Sequence, residues 1–103
     1  MDDFGEQVSE LQAQSDRTRI DFLRTDLQIC FTFAALAETE FEAGERDNAK
    51  RSLEDAEKGY ATVSRFTTDP RHASHIPPEV LHELMTQLRQ LREALDNLAH
   101  RID

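Results

Sequence analysis

The chain of 103 residues has one cysteine, no tryptophan, three glycines and three prolines, and it is short of positive charge. Each scarcity excludes something. A lone Cys30 cannot close an internal disulfide, so the chain is not a stapled secreted scaffold, and a reducing compartment, the cytoplasm, is expected. No apolar run approaches the ~20 residues of a membrane-spanning helix. The opening Met1-Asp2-Asp3-Phe4 is acidic and lacks the basic-then-apolar order of a secretory signal. Twelve Lys and Arg against 21 Asp and Glu give a formal charge of −9, which argues against nucleic acid or an anionic membrane as partner. With so few glycines there is no phosphate-cradling loop, and Ser, His and Asp nowhere fall at a spacing usable for nucleophilic catalysis. An enzyme is not expected, and neither is a cofactor.

What remains is helical. Gly44 and the group Pro70, Pro77 and Pro78 divide the chain into three segments of helical composition, about 6–43, 46–68 and 77–102, and nothing alternates as a strand would. The turn at Ala43-Gly44-Glu45 is short enough to make the first two segments antiparallel neighbours. The connection from Thr68 to Ile76 is longer and contains Asp69-Pro70, where a helix cannot continue. At Pro77-Pro78-Glu79, proline suits a first helical turn and Glu favours its positive end.

In the third segment Leu81, Leu84, Leu88, Leu91, Leu95, Leu98 and Ile102 recur at alternating steps of three and four, which makes one seam. Ala49, Leu53, Ala56, Tyr60 and Val63 do the same in the second, flanked by Ser52 and Gly59. A glycine inside a helix costs about 1 kcal/mol relative to alanine, so Gly59 is expected to admit a bulky neighbour. The first segment carries two stripes. One is Ile20, Leu23, Leu27, Cys30, Ala34, Ala37 and Phe41; beside it runs a second of Phe22, Ile29, Phe33 and Leu36. Two stripes predict a central helix that touches the second segment with one and the third with the other. The fold expected is a single all-α domain, an antiparallel up-down-up three-helix bundle with a long first helix. At 1.5 Å per residue the three helices would be about 57, 35 and 39 Å long. Roughly the first dozen residues of the first helix would then overhang, with Val8 and Leu11 as their large apolar groups. Such an overhang frays or docks on another chain, and a homodimer through the N-terminal part of helix one is the reading taken.

Within 33–60, Phe33, Leu36 and Ala37 precede a Gly44-Glu45 turn, and Ala49, Leu53 and Ala56 follow it. This stretch, FAALAETEFEAGERDNAKRSLEDAEKGY, resembles one tetratricopeptide repeat in its order of large and small positions. Glu40 departs from the usual aromatic, and the terminating proline is displaced to Pro70. The resemblance implies a helical hairpin with the third segment as its cap, and places Glu38, Phe41 and Glu42 on a partner-binding groove.

Residues 1–43 hold ten acidic and three basic residues, a balance of −7, and Glu38, Glu40, Glu42, Glu45 and Asp47 crowd the first turn. A basic peptide or a basic protein surface is therefore the partner expected, met by Glu38, Phe41, Glu42 and Glu45. Asp26 falls between the two apolar stripes, where a carboxylate needs a partner or a proton; a hydrogen bond with Tyr60, or a place at a wet seam, is the expected solution. His72 and His75 in the loop, and Glu79 with His82 one turn apart, invite a metal-binding bundle as the alternative function. A di-iron bundle needs Glu-x-x-His on two helices, and the leucine seam turns Glu79 and His82 outward, so surface histidines and no metal are expected. Cys30, within the apolar stripe and without a basic neighbour, reads as a small core residue.

Overall fold

The structure, a computed structural model, describes residues 2–102 of the chain, with side chains from residue 5 onward. It contains four helices: α1 (Asp2–Glu42), α2 (Arg46–Thr68), α3 (Pro70–Ala73) and α4 (Pro78–Ile102). Among the described residues there is no strand, and no helix is long and apolar enough to cross a membrane. The molecule measures 65 × 18 × 17 Å, its long dimension set by the 41 residues of α1.

α1 ends where Gly44 takes φ +81°, a left-handed conformation that costs glycine nothing. The Gly44 N–H donates to the Phe41 carbonyl at 3.0 Å, and the Glu45 N–H reaches back to Glu40 at 2.8 Å. This pair of bonds satisfies helix-end carbonyls and reverses the chain. α2 then runs back along α1: Ser52 meets Glu40, Gly59 meets Cys30, and Phe66 meets Phe22. α4 returns parallel to α1, with Glu83 beside Arg24 and Arg101 beside Glu38.

Between α2 and α4 the expected loop contains one turn of helix. Pro70 does stop α2, and it also starts α3, because Asp69 caps the turn through the Arg71 N–H at 3.0 Å. The Arg71 guanidinium closes on the same carboxylate at 2.8 Å, and that side-chain bond, followed by the backbone one, draws the Asp69 carboxyl down to about 2.

The core is one continuous cluster. It takes Leu23, Leu27, Cys30, Ala34 and Ala37 from α1, Ala49, Ala56 and Val63 from α2, Ile76 from the connection, and Leu84, Leu88, Leu91, Leu95, Leu98 and Ile102 from α4. Burying a large aliphatic side chain contributes about 1.5–3 kcal/mol, so the leucines of α4 supply most of the apolar stabilisation. The α1–α2 contact is of another kind. It is built on alanines, a serine and a glycine, which contribute little area but let two backbones approach.

One expectation is corrected. The second stripe of α1 does not touch α4. A single band, from Ile20 to Phe41, faces both α2 and α4, since these two also pack on each other and the three axes form a triangle. Phe22, Ile29 and Leu36 stay outside.

The approach of α1 and α2 is tightest at Gly59, where a Cβ would lie 2.3 Å from the Cys30 Sγ. The neighbour admitted is thus a thiol rather than a bulky group. Overpacking costs about 1–3 kcal/mol and exceeds the ~1 kcal/mol that alanine gains in helix preference. Gly59→Ala is therefore expected to lower the urea midpoint, and Cys30→Ala in the same chain to recover part of the loss. A stabilised Gly59→Ala, or strictly additive losses, would contradict this packing.

Candidate functional site: the exposed face of α1

The residues singled out in the sequence fall in three places. At the α1–α2 turn, Glu38 and Glu42 lie 3.3 and 3.6 Å from the Arg101 guanidinium, which also stands over the Phe41 ring at 5.4 Å. The last turn of α1 carries no basic residue of its own, and Arg101 of α4 supplies the cation that a helix C-terminus favours. Glu40 accepts a hydrogen bond of 2.5 Å from the Ser52 hydroxyl rather than reaching freely into solvent, while Glu45 is exposed.

Asp26 and Tyr60 are not brought together. The Tyr60 ring lies 4.8 Å beneath the Arg92 guanidinium, on the side of α2 that faces α4. Arg92 is bound there by both oxygens of Glu57, at 2.8 and 2.5 Å, and by Asp96 at 3.0 Å. Such a two-pronged carboxylate grip is stronger than a single bond, and with it the Arg92 pKa is raised, Glu57 contributing most. Asp26 instead lines a groove on the opposite side of α2. It has no hydrogen-bond or ion-pair partner among the described residues, and burial raises its pKa above the ordinary carboxylate value.

The histidines are dispersed. His72 packs on Phe66, ring centroids 4.5 Å apart, His75 approaches Asp16 at 3.7 Å, and His82 and His100 are exposed. No three His, Cys, Asp or Glu side chains gather as a metal site among the described residues.

The most conspicuous surface is the stripe expected to be buried. Phe22, Ile29 and Leu36 are 53, 46 and 44% exposed, and further along the same helix Val8 and Leu11 are 50 and 65% exposed. Scattered apolar residues on a surface need no explanation, whereas a contiguous row does. Between α1 and α2 this face opens into a groove of about 560 Å³, lined by Phe22, Asp26, Ile29 and Phe33 on one wall and by Lys58 and Thr62 on the other.

A signal for this face stands in the sequence at a period of seven. Val8, Ser15, Phe22, Ile29 and Leu36 recur at that interval, and Thr18, Thr25, Thr32 and Thr39 recur at it beside them. Seven-residue recurrence of two adjacent positions is the pattern of a helix that lies along another helix. The threonines obscure it, because they do not count as apolar. Yet the Thr32 and Thr39 hydroxyls donate to the Gln28 and Ala35 carbonyls one turn earlier, at 3.0 and 3.1 Å. A hydroxyl already bonded can be covered without leaving an unpaired donor.

Compared with protein-family models, curated proteins and solved structures, the chain matches none.

Cys30 is buried beside Gly59. Its thiol is pushed up to about 11, by burial first and then by the charge of Asp26. Two pKa units above the ordinary thiol mean about 100-fold less thiolate at neutral pH. Alkylation at pH 8 is expected to be at least that much slower in the folded chain than in urea; equal rates would contradict its burial.

Proposed function

We propose that the chain is a small, non-enzymatic helical module for protein–protein interaction, and that its docking surface is the exposed face of α1. The observation that supports this most directly is the row of Phe22, Ile29 and Leu36, each about half exposed and seven residues apart, beside a groove with no α4 residue in it. A recurring apolar face of this kind suits a helical partner, which would lay its own apolar side into the groove.

In this reading α1, α2 and α4 form an antiparallel up-down-up three-helix bundle. The α1–α2 hairpin at 33–60 is the tetratricopeptide-like element and α4 is its cap. The acidic turn of Glu38, Phe41, Glu42 and Glu45 is a secondary contact at most, because a basic peptide there must compete with Arg101. A reducing compartment such as the cytoplasm suits the single buried thiol.

A photo-crosslinking residue placed at Ile29 tests the docking surface against one placed at Lys50, an exposed position of α2. Adducts to a partner chain, of whatever identity, are expected in cells from position 29 and only at background level from position 50. Equal yields from the two would remove the α1 face as the docking surface.

A further inference from the structure

We infer that the occupant of the α1 face is a second copy of this chain, laid antiparallel so that Arg19 of each copy meets Asp26 of the other. This rests on the interaction reading above and commits it to one partner and one register.

Two surfaces of the same helix lack a neighbour. From residue 5 to residue 15 every described side chain of α1 is exposed; the rest of the fold reaches along α1 as far as Ile20, which is buried, and Asp16, which His75 of the α3–α4 connection approaches. Farther along, Phe22, Ile29 and Phe33 line the open groove between α1 and α2. An antiparallel second copy answers both needs at once: the projecting part of each α1 lies along the far end of the other, about residues 32–39, and the groove receives residues 14–25 of the partner subunit.

The seven-residue pattern restricts how two such helices can pair, and charge chooses among the arrangements. In an antiparallel pair the two seam positions of one helix face the opposite seam positions of the other. Three registers, one heptad apart, keep most of the length of α1 in contact. In the first, residue numbers at facing seam positions sum to 47. Phe22 and Ile29 then oppose the partner's Thr25 and Thr18, Leu11 opposes the partner's Leu36, and bulky side chains mostly meet small ones. Flanking the seam, Arg19 falls beside the partner's Asp26 on both sides of the two-fold axis, and Asp21 falls beside the partner's Gln28. A shift by one heptad in one direction brings Arg19 against the partner's Arg19 and Asp21 against the partner's Asp21, and a shift in the other direction brings Asp26 against the partner's Asp26. A parallel pair brings Asp21 against the partner's Asp26 twice. Like charges across a helix interface oppose pairing, so only the first arrangement is free of them.

Three further observations agree. Neither Arg19 nor Asp26 has a hydrogen-bond or ion-pair partner among the described residues of its own chain, so neither has to give up a contact to meet the other across the two-fold axis. The net charge of −9 would oppose self-association, but four of the flanking positions, Gln7, Gln12, Gln14 and Gln28, are uncharged. And residues 8–39 of α1 offer a strip about 48 Å long and about 10 Å wide on each copy. The two strips together cover roughly 1,000 Å², the size at which specific interfaces begin.

Sedimentation of the full chain from 1 to 200 µM, with circular dichroism as the check on folding, tests the inference. A dimer is expected, with Arg19→Glu or Asp26→Arg each raising its Kd at least tenfold and the double variant returning to within about threefold of the original. Disulfide trapping adds the direction: Leu11→Cys mixed with Leu36→Cys cross-links, whereas Leu11→Cys alone does not. A monomer with intact helicity at every concentration, a double variant no better than the singles, or cross-linking of Leu11→Cys with itself would each overturn it. If the chain is monomeric while position 29 still captures another protein, the second copy is wrong and the docking surface stands. If it is monomeric and position 29 captures nothing, both fail.

Discussion

The close approach of α1 to α2 is the constraint on which the rest of the molecule depends. Ala34 and Ala37 face Ala49, Ser52 and Ala56 across it, and Gly59 admits the Cys30 thiol where even a methyl group would collide. Small residues let the two axes come near each other, and a near neighbour covers a narrow band. One side of α1 therefore suffices for both α2 and α4. The second apolar stripe, which a looser bundle of larger side chains would have drawn inward, stays on the surface. The exposed face of α1 is in this sense a product of the small residues on its buried face.

Charged side chains fix how α4 sits on this hairpin. Arg92 spans from α4 to Glu57 of α2 while covering Tyr60, Arg24 of α1 reaches Glu83, and Arg46 at the start of α2 donates to the carbonyl of Ile102. The exposed Arg24–Glu83 pair contributes little to stability, and the part-buried contacts of Arg92 and Arg46 are the stronger ones. Their effect is on register, because the leucine seam of α4 repeats along its length and would tolerate a shift by a turn that the paired charges would not.

Much of this was legible in the residues. The three long helices follow from recurrences at three and four, and Gly44 marks the reversal because only glycine occupies its conformation without strain. The stripe from Ile20 to Phe41 and the seam from Leu81 to Ile102 were readable as core, and all of their residues are buried except Phe41 and Leu81, which are partly so. The single turn of α3 was not, since Asp69-Pro70 signals the end of one helix and the capped start of another equally well. Asp26 and Tyr60 were paired in expectation because both flank the α1–α2 contact; a wheel drawn for one helix cannot tell which side of α2 a tyrosine takes, and Arg92 decided it from α4. The exposed stripe was misplaced for a related reason. Amphipathicity says that a face is apolar and leaves open which neighbour covers it, and the threonines that complete the seven-residue pattern do not count as apolar, although the hydroxyls of Thr32 and Thr39 are already bonded.

The cation that settles the end of α1 lies far along the chain. Glu38, Glu40 and Glu42 crowd the negative end of that helix, and no basic residue in its last turn offsets them; Arg101 does so from α4. As the chain emerges from a ribosome, α1 and α2 are complete once Thr68 is made, yet their shared core still lacks the α4 leucines and the acidic end of α1 still lacks its counter-charge. Both arrive only with the last helix. The hairpin therefore spends the interval of synthesis with its apolar faces open, and the native state is reached after translation of the α4 sequence rather than helix by helix during it.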